Sequence, residues 1–171
     1  MRRCIVPDDE LARFDDFVSS RLPALYRYAC ALTGNRHDAE DLVQEALART
    51  GAGWRRVRRK DDPEGYVRMA MVRLMLNKRR RDRERLMADP PDRAADDQRL
   101  DGVTALAATQ AALAGLPRGM RAVLMLRYVD GFSDEQIADV LGCSASTVRS
   151  QACRALAKLR AAADTQEEPH G

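Results

Sequence analysis

Short hydroxyls and guanidinium groups recur at helical spacing near the end of the chain, in the run SDEQIADVLGCSASTVRSQACRALAKLR from Ser133 to Arg160. Ser146, Arg149, Ser150 and Arg154 fall on one side of the pattern. Their chemistry is recognition. A guanidinium pairs bidentately with guanine edges or phosphates, and a short hydroxyl lets the backbone approach a groove closely. A recognition helix uses such residues in its first turns, where it meets the major groove.

The elements that must position these groups can be read around them. Ser133 is an N-cap, and Asp134 and Glu135 come next in the first turn, where the helix dipole favours acids. Ile137, Ala138 and Leu141 keep core spacing, and Gly142 supplies the turn. Ser144 or Ser146 caps the next helix, whose buried stripe is Val148, Ala152, Ala155, Leu156 and Leu159. The pattern predicts a helix-turn-helix. The plainer alternative is a helical hairpin with a solvated basic face.

At 171 residues and 45% hydrophobic content, the chain can hold one ordinary domain or two small ones. Aromatics at 5% and charged residues at 32% suit small helical domains rather than β-sandwiches. The net charge of +3 hides strong segregation of acidic and basic blocks. No apolar run approaches the roughly 20 residues of a membrane span, and MRRCIVPDDE turns acidic before any signal-type stretch develops. A cytoplasmic protein without membrane contact is expected. Cys4, Cys30, Cys143 and Cys153 form no CxxC pair and lie far from His37 and His170, so neither a metal site nor a disulfide framework is expected. Cys153 reads as a bystander thiol. No nucleotide-binding glycine loop, catalytic carboxylate pair or nucleophile constellation is present, so no enzyme and no cofactor are expected.

Upstream the chain also reads as helix. Phe14, Phe17, Val18, Leu22, Leu25, Tyr26, Ala29 and Leu32 keep a helical stripe up to Gly34, with Pro23 a candidate break. In RHDAEDLVQEALART, Ala39, Leu42, Val43, Ala46 and Leu47 form an apolar face opposite Asp38, Glu40, Asp41, Gln44 and Glu45. That is more acid than a merely solvated face needs. After the basic block RRVRRK, Pro63 opens a helix in which only Arg68 and Arg73 interrupt the apolar residues from Tyr66 to Leu76, so this half is expected to be central and buried on most sides. From Lys78 to Arg85, six of eight residues are Lys or Arg, the electrostatic footprint of a phosphate backbone. Trp54 reads as core packing.

The composition then flips to MADPPDRAADDQRLDG, an acidic Pro/Asp linker. Helical patterning returns at Ala105, and in RGMRAVLMLRYVDG the stripe is Ala122, Val123, Leu126 and Val129. The expected fold is all-α, with two small helical domains at 8–86 and 104–163, a flexible linker at 87–103 and a tail at 164–171. A second domain this small would be of modest stability by itself.

Taken in order, LTGNRHDAEDLVQEAL, DPEGYVRMAMVRLMLNKRRR, the Pro/Asp linker, LPRGMRAVLMLRYVDGFSDEQIADVLGCSASTVRSQACRAL and LAKLR resemble an extracytoplasmic-function sigma factor of the sigma-70 family. They are most similar to its actinobacterial sigma-E branch. The resemblance implies a promoter-specificity subunit made of sigma domains 2 and 4, with core RNA polymerase and promoter DNA as partners and an anti-sigma factor as a candidate one. It assigns Asp38, Asp41, Leu42, Gln44 and Glu45 to the clamp helices of the polymerase β′ subunit. It places Arg73, Asn77, Lys78 and Arg79 at the melted minus-ten element. Many relatives carry Asn where this chain has Arg73, so their base preference does not transfer. The second domain would bind the minus-thirty-five element through Ser144, Ser146, Thr147, Arg149, Ser150, Gln151 and Arg154. The alternative is a conventional helix-turn-helix regulator with a helical N-terminal domain.

Overall fold

The computed structural model describes residues 8–86 and 105–166, all in helices and short turns; the expected linker lies outside them. Helix α1 runs Asp8–Thr33 straight through Pro23, where the sequence suggests a break. Pro23 and Ser19 are both exposed, so the carbonyl that loses its helical donor faces water, while Leu25, Tyr28, Ala29 and Leu32 bury the opposite side. Gly34, at φ 83°, reverses the chain. Asn35 then caps α2 (Arg36–Gly51), its side chain accepting from the Asp38 N–H at 2.8 Å. Ala39, Leu42, Val43 and Ala46 are buried, as the spacing requires.

Trp54 begins the single turn α3 (Trp54–Val57) and is 5% exposed. Its ring lies 5.2 Å from Phe14 in an edge arrangement and 4.7 Å from Phe17. Arg58, just beyond, grips Glu10 of α1 with Nε to Oε2 at 2.9 Å and Nη2 to Oε1 at 2.7 Å. Helix α4 (Pro63–Leu86) starts where Asp62 Oδ1 accepts from the Gly65 N–H at 2.7 Å. Val67, Met71, Val72, Leu74 and Met75 are buried, but Tyr66 is 41% exposed, against the expectation of a half-helix covered on most sides.

The second lobe comprises α5 (Ala105–Ala114), α6 (Arg118–Leu124), a π-helical turn at Met125–Val129, α7 (Asp134–Leu141) and α8 (Ala145–Gln166). The π turn corrects one expectation. An extra residue in that turn rotates the chain beyond it, so Met125 is buried while Val129, predicted inside, is half exposed. The two lobes share one continuous buried cluster: Leu25, Val43 and Met71 belong to it together with Val123, Leu126, Ile137 and Val148. Helix α8 continues to Gln166.

Trp54→Ala should cost about 3–5 kcal/mol of stability in urea denaturation of the full chain, because it removes a buried ring packed against Phe14 and Phe17. The Arg58 guanidinium holds the Glu10 carboxyl below the ordinary carboxylate range. Its contribution is therefore present above that range and lost as pH falls through the lowered folded value. In Glu10→Gln the acid arm of Tm against pH should be flatter than in the wild type.

Candidate nucleic-acid interface

The helix-turn-helix is built as its sequence suggests. Ser133 and Gln136 form a reciprocal capping box, with the Gln136 N–H donating to Ser133 Oγ at 3.3 Å and the Ser133 N–H to Gln136 Oε1 at 2.8 Å. Gly142 adopts the left-handed conformation at φ 65° that ends α7. Ser144 is the cap of α8: its Oγ accepts from the Thr147 N–H at 3.2 Å and lies 2.8 Å from Ser146 Oγ and 2.9 Å from Thr147 Oγ1. Val148, Ala152 and Ala155 are fully buried, which fixes the opposite side of α8 outward.

On that side Ser146, Thr147, Arg149, Ser150 and Arg154 are exposed together. Arg149 is lightly steered by Asp134, 3.8 Å away, which also holds Arg127. Gln151 departs from the group. It is half-buried, and its Oε1 is shut from solvent without a hydrogen-bond partner among the described residues. Cys153 is exposed on the same helix.

A second open face lies on α4. Arg73 and Asn77 are exposed and, with Arg49, Thr50, Tyr66, Ala70 and Leu74, line a hollow of about 240 Å³, below drug-sized pockets and suited to a single ring system. Tyr66 escapes a sequence reading that groups it with the apolar half of the helix. Its spacing could reveal it, since 66, 70, 73 and 77 fall on one helical stripe beside a basic block. Lys60 Nζ sits 5.3 Å from the centre of the Tyr66 ring, adding positive charge beside an aromatic platform. Lys78 and Arg79 continue α4, with side chains outside the described ones.

The acidic helix α2 presents Asp41, Gln44 and Glu45 to solvent, with Glu45 paired to Arg49 at 2.5 Å and Asp41 3.8 Å from His37. Asp38 is half-buried and held by Asn35 and by Arg118. Leu42, at 8% exposure, belongs to the core and offers a partner only its edge. Among the described residues, no group of His, Cys, Asp and Glu is placed to hold a metal ion, and no helix is long and apolar enough to cross a membrane.

A helix-turn-helix, a basic helix with an aromatic platform and an acidic helix on one small chain define a promoter-reading DNA-binding protein. Residues 17–85 match the family model of sigma-70 region 2, and residues 106–159 match that of sigma-70 region 4. The chain is 35% identical over 156 residues to the RNA polymerase sigma-E factor of Streptomyces coelicolor, covering 88% of this chain and 86% of that one. It is 35% identical over 162 residues to the ECF RNA polymerase sigma factor SigE of Mycolicibacterium smegmatis, covering 86% of this chain and 60% of that protein. Among solved structures, the sigma factor RpoE of Bartonella quintana, in complex with the anti-sigma factor NepR, superposes with a TM-score of 0.62 at 26% identity, over 89% of this chain and 97% of that one. The chain belongs to the sigma-70 family, in its extracytoplasmic-function group. It is an RNA polymerase sigma factor, whose partners are core polymerase and promoter DNA.

Ser144→Ala should remove the cap of the recognition helix and lower stability by about 1 kcal/mol. Thermal denaturation of the full chain checks it, and Ser144→Asp, which restores a capping oxygen, should recover most of the loss.

Proposed function

We propose that the three faces divide the work of promoter recognition. The α2 face of Asp38, Asp41, Gln44 and Glu45 docks on the basic clamp helices of the polymerase β′ subunit, with Leu42 at the edge. The outer face of α8 reads duplex minus-thirty-five DNA through Arg149 and Arg154, supported by Ser144, Ser146, Thr147 and Ser150. Gln151 contributes a contact only if its amide turns outward. The stripe of Tyr66, Arg73 and Asn77, continued by Lys78 and Arg79, holds the melted minus-ten strand. The observation that carries this reading is that hollow on α4: an exposed aromatic ringed by cations is of little use to a duplex reader, whereas unpaired bases stack on such platforms.

The protein has no catalytic part of its own in this reading and acts in the cytoplasm beside core polymerase. An anti-sigma factor is a further candidate partner, of the kind bound to the sigma factor RpoE of Bartonella quintana.

Two experiments test the division. Asp41→Lys with Glu45→Lys should abolish copurification with core polymerase while helicity is retained; wild-type yield would reject the docking face. Arg149→Ala should weaken initial promoter binding by about 1–3 kcal/mol, the worth of one bidentate base contact. Tyr66→Ala and the pair Asn77→Ala with Lys78→Ala should leave initial binding near normal but reduce strand opening, by about 1–3 kcal/mol per stacked base for Tyr66. Permanganate reactivity of unpaired thymines decides between the lobes, and the opposite pattern would mean that their roles are reversed.

A further inference from the structure

The hollow beside Tyr66 has a one-sided chemistry. Its apolar part is Ala70, Leu74 and the Tyr66 ring, which Lys60 approaches from outside, and its polar groups belong to Arg49, Thr50, Arg73 and Asn77. No carboxylate lines it. Arg49 is paired to Glu45, and Thr50, 2% exposed, donates its hydroxyl proton to the Ala46 carbonyl at 2.7 Å. Arg73 differs: it is exposed and has no hydrogen-bond or ion-pair partner among the described residues.

Spacing along α4 sets what this guanidinium can meet. Arg73 lies two turns beyond Tyr66, about 10 Å along the axis, and side chains on a helix lean toward its N-terminus, so a ring resting on Tyr66 is within its reach. A guanidinium only donates. Guanine shows it two adjacent acceptors, O6 and N7, whereas adenine puts an amino donor at N6 beside N7, and thymine offers O4 beside a methyl group. Unpaired cytosine has N3 and O2 side by side, but O2 adjoins the sugar and the smaller ring covers less of a stacking platform. Asn77 carries both a donor and an acceptor, so by itself it does not choose between the purines.

We infer that Arg73 makes the hollow selective for guanine: at one position of the melted minus-ten strand, a guanine stacks on Tyr66 and presents O6 and N7 to the Arg73 guanidinium. This rests on the minus-ten role given to α4 above. The other use of Arg73 would be a phosphate contact, and the lining argues against it. A phosphate gains nothing from Tyr66, Ala70 and Leu74, and six of the eight residues from Lys78 to Arg85 are already cations suited to the backbone. A base gains from both halves of the hollow, its face from the apolar part and its edge from Arg73.

The test uses core polymerase carrying the full chain, a pool of promoter templates randomised across a premelted minus-ten segment, and sequencing of the retained templates. The wild type should enrich guanine about tenfold at one position of the unpaired strand. Arg73→Ala should remove that enrichment and leave the other positions as they were, which also shows that the variant is folded and bound. Arg73→Asn, whose amide pairs with adenine N6 and N7, should move the preference at that position to adenine. Arg73→Lys, a point charge without the planar fork, should lose most of the guanine preference while keeping overall retention. No guanine preference at any position, or one that survives Arg73→Ala, would overturn the inference. So would a loss in Arg73→Ala that is uniform across sequences with a salt slope lower by about one, the mark of a phosphate contact. Tyr66→Ala separates this from the reading beneath it: if that variant retains templates like the wild type, the minus-ten role of α4 fails, whereas weakened retention without guanine selectivity rejects the role of Arg73 alone.

Discussion

The contact on which the arrangement of the whole chain depends is the Arg121 guanidinium at the ends of two helices. Its Nη2 donates to the carbonyl of Thr33, the last residue of α1, and its Nη1 to that of Ala114, the last residue of α5, at 3.0 Å. Helix C-termini carry unsatisfied carbonyls and partial negative charge, so one cation there caps two helices from different lobes. The cost is visible in the group itself: burial pulls its pKa down to about 10, still high enough to keep the charge at neutral pH. Nε has no partner among the described residues, which leaves the site costly as well as specific.

Around that contact, each lobe solves a separate problem with ordinary means. The N-terminal lobe wraps α1, α2 and α4 around small and aliphatic side chains, and Trp54 closes its end against Phe14 and Phe17. The second lobe is short, and the cluster that belongs to it alone is small, formed by Leu116, Leu124 and Ala155. It gains the rest of its burial from its neighbour, since Val123, Leu126 and Ile137 lie in the same cluster as Leu25 and Met71. Two small domains thus share one larger core, to whose stability buried apolar surface contributes while the buried polar groups oppose it.

The proposed reading faces obey the same logic. Hydrogen bonds within the turn, from Ser144 to Thr147 and between Ser133 and Gln136, fix the first residues of α7 and α8, so that Arg149 and Arg154 are presented on a rigid scaffold. At the start of α4, Asp62 caps the Gly65 N–H, and Lys60 lies over the ring of Tyr66 in the same turn. The interface between the lobes contains its own perturbed groups. Burial raises the Asp130 carboxyl, opposed by the Tyr28 hydroxyl and Arg68, and the same burial raises Tyr28.

Much is legible from the sequence because it depends on neighbours in the chain. The helical periodicities of α2 and α8, the caps at Ser133 and Gly142, the acidic face of α2 and the hydroxyl–arginine face of α8 rest on contacts within a few residues, where spacing alone fixes the outcome. The order of those pieces is enough to name the family. The features that do not show in the sequence depend on partners far along the chain or on small departures from regular geometry. A π turn of one extra residue moves Val129 outward, exposure of one side of α4 turns Tyr66 from core to platform, and α1 keeps its course through Pro23 because its buried stripe lies on the other side. The polar contacts between the lobes are the clearest case: Tyr28 and Asp130, like Arg121 and Thr33, are brought together only when two lobes distant in sequence pack, and no periodicity within either lobe encodes that they must meet.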